Sequence, residues 1–310
     1  MISLRARIVR WVSKQMFKKI SGNSAVVPLR ETFEKMASRT RTASGTQIRQ
    51  ETIAGVDCDW VIPKKCDESR VLLFLHGGAY VMGSSKTHHT MVSHIAKEAG
   101  VRALLPNYRL APENPFPAGL EDCLAVYRQL LINEVTPERL VIGGDSAGGG
   151  MTMATLLSLR DAGDPMPSAA CLLSPWLDLA AEGESANTRA GMDPWFRADD
   201  MANTAAHYCL ESQIRDPLVS PVHADVRGLP PMLIQVGDHE ILLSDSTRIT
   251  DKLTAAGIDV TLRVWPEMWH VFQYFVGKMP ESKRAIREIG QYLKSQLDVA
   301  ESPAETSQAA

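Results

Sequence analysis

Short apolar runs recur along the chain and are separated by longer stretches with the periodicity of amphipathic helices. The runs are continuous rather than alternating, which is typical of strands that helices cover on both faces. We therefore predict an α/β fold with a mostly parallel, doubly wound sheet. The predicted strands are Val71–Leu75, Val101–Leu105, Leu140–Gly143, Ala170–Leu173, Met232–Val236 and Val260–Val264, and the predicted helices are Thr87–Ala99, Leu120–Ile132, Ala147–Arg160, Ser244–Ala256 and Ser282–Leu297.

Three segments depart from this alternation. Gln47–Thr52 and Asp59–Ile62 have the pattern of an antiparallel hairpin placed before the first parallel strand. Between Asp178 and Leu218 the alternation stops, and we interpret this stretch as an insertion over one end of the sheet. Residues 299–310 are small, polar and proline-containing, which predicts a disordered tail.

The N-terminal segment predicts an amphipathic helix with one apolar stripe. We expect this helix to pack on the body of the protein. The alternative is a helix that lies on a membrane surface or on an acyl substrate. The stripe consists of Leu4, Ile8, Trp11 and Val12, with Met16 as a further candidate, and most of the basic residues Arg5, Arg10, Lys14 and Lys18 lie elsewhere on the helix.

Composition excludes several functional classes. The 310 residues include 33 basic and 36 acidic side chains, so the net charge of -3 offers no basic surplus for nucleic acid. The 5 cysteines are scattered and form no CxxC pair, which favours neither a disulfide framework nor a zinc site and predicts a cytoplasmic setting. No apolar run has the length of a signal peptide core or a membrane span.

The strongest chemical signal is a serine between a predicted strand and a predicted helix. Residues 144–148 read Gly-Asp-Ser-Ala-Gly, a GxSxG pattern. A nucleophilic serine on such a tight turn needs small neighbours, and the following helix N-terminus favours developing negative charge. Ser146 is therefore the candidate nucleophile.

A serine hydroxyl needs a base, and the base needs a carboxylate that orients it. His270 is the histidine that follows a late strand in a suitable loop. Asp238, Glu240 and Asp245 all follow the strand Met232–Val236, and their loop position favours the first two as the acid. For His88, His89, His94, His207 and His223 a surface or packing role is sufficient.

Hydrolysis of an acyl compound also needs N–H donors for the oxyanion. In α/β-hydrolases one donor follows the nucleophile, here Ala147, and the others lie in the loop after an early strand. That loop begins with His76, and we assign the amides of Gly77 and Gly78 to the oxyanion hole.

Together these motifs resemble the hormone-sensitive-lipase family of bacterial carboxylesterases. The HGG loop and the GDSAGG turn are accompanied by YRLAPENPFPA at 108–118, SPWLDL at 174–179 and DPLVSP at 216–221. The likeness runs from about Leu72 to Phe272. It implies a core formed by residues 46–180 and 216–298, with a helical cap from residues 1–45 and 181–215.

The resemblance also implies hydrolysis of short- to medium-chain esters through an acyl-enzyme, with neither metal nor organic cofactor. Carried over by position, the resemblance makes Ser146 the nucleophile and His270 the base. It places Glu240 at the position where an aspartate is more usual, so the acid is Glu240 or, as the alternative, Asp238. A second departure is Ala79, where a third glycine is frequent.

Substrate contacts and assembly are less closely specified. Met82, Trp195, Phe196 and Trp269 are candidates for lining an acyl or alcohol pocket, with packing in the cap as the alternative. The resemblance also suggests a homodimer through the edge strand Val260–Val264.

Two other functions remain open at this point. An amidase, peptidase or transacylase uses the same triad, and a binding protein of this family keeps the serine but lacks the histidine. The presence of His270 argues against the binding protein.

Overall fold

The fold is built on one mixed sheet. The computed structural model describes residues 2–18, 26–37, 40–195 and 198–301. The strands of the sheet in these ranges are Thr46–Ile53 (β1), Val56–Pro63 (β2), Asp67–Leu75 (β3), Val101–Pro106 (β4), Leu140–Asp145 (β5), Ala169–Leu173 (β6), Met232–Gly237 (β7) and Val260–Trp265 (β8).

The strand order is β1-β2-β4-β3-β5-β6-β7-β8. β3 to β8 run parallel, while β1 and β2 form an antiparallel hairpin that joins the sheet beside β4. The predicted mostly parallel sheet and the predicted hairpin are both confirmed. β8 lies at the edge of the sheet, as the sequence indicated.

Helices cover both faces of the sheet. Along β3, Leu73 and Leu75 belong to one apolar core, whereas Leu72 and Phe74 belong to the core on the opposite face. This arrangement explains why the strand sequences are apolar without alternation. The helices are Leu4–Lys18 (α1), Val26–Ala37 (α2), Ser85–Ala99 (α3), Ala118–Ile132 (α4), Ala147–Ala162 (α5), Ser185–Thr188 (α6), Ala198–Tyr208 (α7), Leu243–Ala255 (α8) and Pro280–Glu301 (α9).

The sheet brings distant loops together. β3, β5, β7 and β8 are parallel, so the loops after their carboxyl ends meet at one edge of the sheet. These loops contain His76, Ser146, Glu240 and His270, respectively. The site therefore draws on four separate parts of the chain.

The N-terminal helix packs differently from the prediction. α1 buries Ala6 and Ser13, and Glu281 of α9 accepts hydrogen bonds from the backbone and side chain of Ser3. The helix therefore packs on the body as expected, but not through its apolar stripe, because Leu4 and Trp11 of that stripe are exposed. The side chain of Met16 lies outside the described residues. Small residues let the helix approach the body closely, which the pattern of large apolar residues did not reveal.

The C-terminal helix extends further than predicted. α9 continues to Glu301 and so includes the first three residues, 299–301, of the expected disordered tail. Arg70 binds Asp298 at 2.7 Å and Glu301 at 2.6 Å, and these ion pairs fasten the last turn to β3. Residues 302–310 lie outside the described residues.

The described parts of the expected cap are helical. α1 and α2 lie in residues 1–45, and α6 and α7 lie in residues 181–215. Across the ranges that the structure describes, no helix has both the length and the apolar content needed to cross a bilayer.

Candidate active site

Ser146 occupies a strained turn between β5 and α5. Its φ of 53° and ψ of -124° are unfavourable for a residue with a side chain, and the surrounding structure must hold it there. A Cβ at Gly144 would lie 2.3 Å from the Gly148 carbonyl oxygen, and one at Gly148 would lie 2.0 Å from the Leu75 oxygen. The glycines of the GxSxG pattern thus supply the space that the turn requires.

Ser146, His270 and Glu240 form one buried chain of hydrogen bonds. His270 Nε2 lies 2.9 Å from Ser146 Oγ, and His270 Nδ1 lies 2.8 Å from Glu240 Oε2. A carboxylate only accepts, so Nδ1 carries the proton and Nε2 is free to accept from the serine. The arrangement has the geometry of a nucleophile, a base and an orienting acid.

The carboxylate of Glu240 is itself held on its other oxygen. Oε1 accepts a hydrogen bond of 2.6 Å from the N–H of Gly237 and one of 2.9 Å from the hydroxyl of Ser174. Ser174 Oγ also accepts the N–H of Val271, the residue after His270, at 3.0 Å. Ser174 thus links the acid to the loop of the base. The sequence analysis missed it, although its position directly after β6 at the same sheet edge was a usable signal.

The other acid candidates lie elsewhere. Asp238 accepts the N–H of Glu267 at 2.5 Å. Asp245 accepts the N–H groups of Leu177 and Asp178 at 2.8 and 2.9 Å, and its burial raises its pKa to about 8. Of the three carboxylates, the one that contacts the histidine is Glu240.

His270 has a raised pKa. Burial alone lowers the pKa of an imidazole, but the hydrogen bond and the negative charge of Glu240 outweigh it, with further contributions from Asp193 and Asp145. The carboxylate thus stabilises the imidazolium form. This is the form that His270 takes after it has accepted a proton.

The loop after β3 turns sharply beside Ser146. Gly78, Ala79 and Tyr80 have φ values of 130°, 54° and 64°, all in the region that favours glycine. Only glycine fits at position 78, because a Cβ there would lie 2.0 Å from the Met82 carbonyl oxygen. Ala79 adopts the left-handed conformation at a steric cost, which explains why glycine is frequent at this position.

The assignment of Gly77 to the oxyanion hole is corrected by the structure. The Gly77 N–H donates to Asp145 Oδ1 at 3.1 Å and lies 3.3 Å from His88 Nε2, so it is already used inside the protein. In the described part of the chain, the N–H groups of Gly78, Ala79 and Ala147 donate no hydrogen bond. The available donors are therefore shifted by one residue along the loop.

A buried polar cluster supports this loop. Asp145 lies 3.1 Å from His88 Nε2, and Tyr108 donates its hydroxyl to the His76 carbonyl at 2.6 Å and stacks on the His76 ring at 4.3 Å. Burial lowers the pKa of His76 to about 3, so this imidazole is neutral at neutral pH. His88 had been given only a surface or packing role, but its place in the first turn of α3 brings it under the loop.

The N-terminal cap is joined to the same loop through Arg30 of α2. The Arg30 guanidinium donates to the carbonyls of Val81 at 2.6 Å and Ala111 at 2.7 Å, and it pairs with Glu113 at 2.7 Å. This connection, which nothing in the sequence pattern revealed, ties the cap to the segment that carries Gly78 and Ala79.

Three of the proposed pocket residues are described, and all three are buried. Trp195 contacts Phe33, Tyr274 and Phe275, with ring centroids 6.5, 6.3 and 5.8 Å apart, and Trp269 lies 5.9 Å from Phe275. Met82 belongs to the loop after β3. Phe196 lies outside the described residues. The sequence analysis had not singled out the aromatic partners of the two tryptophans.

One group of side chains has the spacing of metal ligands. Among the described residues, the ligand atoms of Asp178, Glu182 and His223 lie within 4.8 Å of one another. Arg248 pairs with Asp178, and Arg215 pairs with Glu182. The two carboxylates are thus already neutralised by guanidinium groups, so the group does not fit a metal.

Comparison with known proteins agrees with this geometry. The family described as the alpha/beta hydrolase fold matches residues 72–274. An acetyl-hydrolase of Streptomyces hygroscopicus is 43% identical over 244 residues, covering 79% of this chain and 81% of its own length.

Two solved structures also superpose closely on the chain. An esterase from the bacterial hormone-sensitive lipase family is 41% identical with a TM-score of 0.92, covering 96% of this chain and 99% of its own. EstE5, soaked with p-nitrophenyl butyrate, is 39% identical with a TM-score of 0.92 over the same shares of the two chains. The chain belongs to the hormone-sensitive-lipase family of α/β-hydrolases.

Proposed function

We propose that this protein is a serine carboxylesterase that hydrolyses short- to medium-chain acyl esters through an acyl-enzyme. Ser146 is the nucleophile, His270 the general base and Glu240 the acid that orients it. The observation that carries the proposal is the continuous chain of contacts of 2.9 and 2.8 Å through these three residues. The names of the relatives, acetyl-hydrolase and esterase, support ester chemistry.

In the first half of the reaction, Ser146 Oγ attacks the carbonyl carbon while its proton passes to His270 Nε2. Glu240 stabilises the imidazolium that results, consistent with the raised pKa of His270. The carbonyl π electrons move to the oxygen, which becomes an oxyanion. The carbonyl then re-forms, the C–O bond to the alcohol breaks, and the alcohol leaves with the proton from His270.

In the second half, water takes the place of the alcohol. It gives a proton to His270 and attacks the acyl carbon, and Ser146 leaves with that proton as the acid is released. In both halves we assign the oxyanion to the N–H groups of Gly78, Ala79 and Ala147. Their lack of another acceptor within the described residues and the helix N-terminus at Ala147 support this assignment.

Hydrolysis of p-nitrophenyl esters from acetate to palmitate tests the proposal, with the Ser146→Ala variant measured in parallel. We expect a rate that depends on Ser146 and is highest for short or medium chains. Without the nucleophile, kcat falls by about 10⁵-fold or more. A phosphonate that labels the wild type and also labels Ser146→Ala would contradict the assignment.

The same assay distinguishes the other acyl-transfer activities. A Ser146-dependent rate on anilides that exceeds the rate on matched esters would replace the esterase with an amidase. Ester turnover that gives a transferred acyl product rather than free acid would indicate a transacylase. Binding of esters with no turnover by the wild type would leave only a binding protein.

We further propose that two copies pair through β8. β8 is the outermost strand on its side of the sheet, and an open strand edge is a ready surface for pairing with a second chain. Val264 of this strand is exposed. In sedimentation velocity we expect a dimer that Val264→Glu weakens, because a symmetric interface would bring the two new charges close together. A wild-type monomer would contradict this proposal.

A further inference from the structure

The N-terminal helix α1 presents an exposed apolar face of fixed orientation. Ser3 caps the start of the helix and binds Glu281 of α9, while Ala6 and Ser13 are buried against the body. Arg10 donates to the Met192 carbonyl at 2.7 Å. These contacts set which side of the helix faces outward.

The outward side carries large apolar residues. Leu4 is 71% exposed, Ile8 54% and Trp11 65%, and Val12 is exposed beside them. The first three follow the spacing i, i+4, i+7 and so form one stripe, opposite the buried Ala6 and Ser13. We call the four residues the outer face. A soluble surface does not usually collect exposed large apolar side chains on a single helix.

The charges of α1 are all of one sign. Its 15 residues include five basic and no acidic side chains, in a chain whose net charge is -3. Arg5 flanks the outer face on one side, Arg7 and Lys14 flank it on the other, and all three are exposed. An apolar stripe with tryptophan between basic residues is the pattern of helices that lie in the interface of an anionic bilayer.

We propose that the outer face of α1 docks on the surface of an anionic lipid bilayer, with the helix parallel to the membrane plane. The apolar side chains enter the boundary between headgroups and acyl chains, and the basic residues bind the lipid phosphates. A symmetric contact with a second copy is disfavoured, because it would place the same basic residues opposite one another. The inference concerns binding and does not depend on the proposed hydrolysis.

Docking would bring one part of the site close to the lipid. The Met192 carbonyl binds Arg10, and this segment continues to Asp193 and Trp195. Trp195 contacts Tyr274 and Phe275, which follow His270 in the chain, so the segment passes near the site. A bilayer-bound protein would thus meet hydrophobic compounds on the cap side, next to α1.

Co-sedimentation with lipid vesicles tests the proposal. The purified full chain is mixed with vesicles of phosphatidylcholine alone or of phosphatidylcholine with phosphatidylglycerol. We expect binding to the anionic vesicles that weakens as salt is added. The double variant Ile8→Ser, Trp11→Ser should reduce the partition coefficient by about a hundred-fold or more, given the apolar area removed. Arg5→Gln with Arg7→Gln should reduce it by about thirty-fold, at about 1 kcal/mol per charge.

Matched variants separate the outer face from a general surface effect. Ile132→Ser removes an apolar residue that is 72% exposed on α4, and Lys283→Gln with Arg287→Gln removes two exposed charges from α9. We expect neither to change vesicle binding. Circular dichroism and thermal unfolding check that each variant is folded, because the outer face contributes little to the core.

Tryptophan fluorescence reports the position of the helix directly. Trp11 should shift to shorter wavelength with anionic vesicles, and Trp11→Phe should remove the shift yet keep the binding. The proposal is overturned if the wild type does not bind anionic vesicles, or if the outer-face and α9 variants bind alike. A dimer in solution that depends on Trp11, with no vesicle binding, would assign the outer face to a second copy instead.

Discussion

The two halves of the site are held in place by different means. On the acid–base side, the working groups are side chains: the Ser174 hydroxyl and the Gly237 N–H position Glu240, and Glu240 positions His270. On the proposed oxyanion side, the groups are backbone amides, held by a strained loop whose Gly77 N–H donates to Asp145. The order of the motifs along the chain is therefore enough to identify the acid–base residues. Identifying the oxyanion donors also requires knowing which backbone amides already donate to another acceptor.

Removing the charge of Glu240 gives the largest expected effect on the acid–base half. Glu240→Gln no longer stabilises the imidazolium or holds the Nδ1–H tautomer, so kcat should fall by about 10⁴-fold. Asp238→Asn is the matched control and should change kcat by less than about two-fold, because Asp238 accepts from the Glu267 N–H and not from the histidine. Steady-state kinetics on one ester compares them, and the reverse order would transfer the role of acid to Asp238.

Loss of the carboxylate under the oxyanion loop gives the next largest effect. Asp145→Ala removes the nearer acceptor of the Gly77 N–H and leaves only the longer contact to His88 Nε2, and the displaced loop should lower kcat by about a hundred-fold. KM should change little, since the oxyanion contacts form mainly in the transition state. Asp145→Asn retains an oxygen acceptor and should recover most of the rate. An equal loss in both variants would mean that the charge matters, not the position of the loop.

Ser174 is expected to act as a positioning residue on the acid–base side. Ser174→Ala removes one donor to Glu240 and the acceptor of the Val271 N–H. We expect kcat to fall by about ten-fold, which corresponds to about 1.4 kcal/mol, within the range for a hydrogen bond to a charged group. Ser168→Ala is a control for serine removal, because Ser168 is half-buried and its hydroxyl donates to the Leu140 carbonyl. Unchanged kinetics in Ser174→Ala would show that the Gly237 N–H alone is enough to position Glu240.

The pH profile probes the acid–base half, because His270 must change its protonation state during the reaction. His270 must be neutral to accept the serine proton, and its pKa is raised above the ordinary 6.5. Therefore kcat/KM should fall as the pH drops, with the midpoint of the acid limb above that value. The midpoint should be clearly lower in Glu240→Gln and only slightly lower in Asp145→Asn, because the charge of Asp145 raises the pKa of His270 less than Glu240 does. If the acid limb of Glu240→Gln has the wild-type midpoint, Glu240 is not the cause of the raised pKa of His270.

The smallest effect concerns the backbone of the oxyanion loop. Ala79→Gly relieves the left-handed conformation and should raise the free energy of unfolding by up to about 1 kcal/mol. Ala54 has a similar φ of 51° in the β1–β2 turn, so Ala54→Gly is the matched control with the same sign but no catalytic effect. Urea unfolding and kcat are measured for both. A lower kcat confined to Ala79→Gly would show that the stiffness of this loop aids catalysis.

Much of the fold could be predicted because its signals are local. Continuous apolar runs identified β3 to β8, and GxSxG with its flanking elements identified the turn at Ser146. Loop position and motif spacing reduced the acid to Glu240 or Asp238, and the contact with His270 distinguishes them. These features depend on residue type and order, which the sequence contains.

The remainder depends on packing between distant segments. Whether Gly77 or Ala79 offers a free amide is decided by Asp145, 66 or more residues away along the chain. The face that α1 buries is set by the close approach of Ala6 and Ser13, although large apolar residues dominate its pattern. Neither outcome can be read from composition or periodicity.

The contact between Gly77 and Asp145 also has an evolutionary consequence. A carboxylate at position 145 is useful only when it accepts from the loop amide and meets an imidazole at position 88. In an alignment of relatives, residues 88 and 145 should therefore change together, while the catalytic residues stay fixed. Such paired substitution would not change the reaction. It would show that different relatives use different side chains to position the amides of the loop after β3.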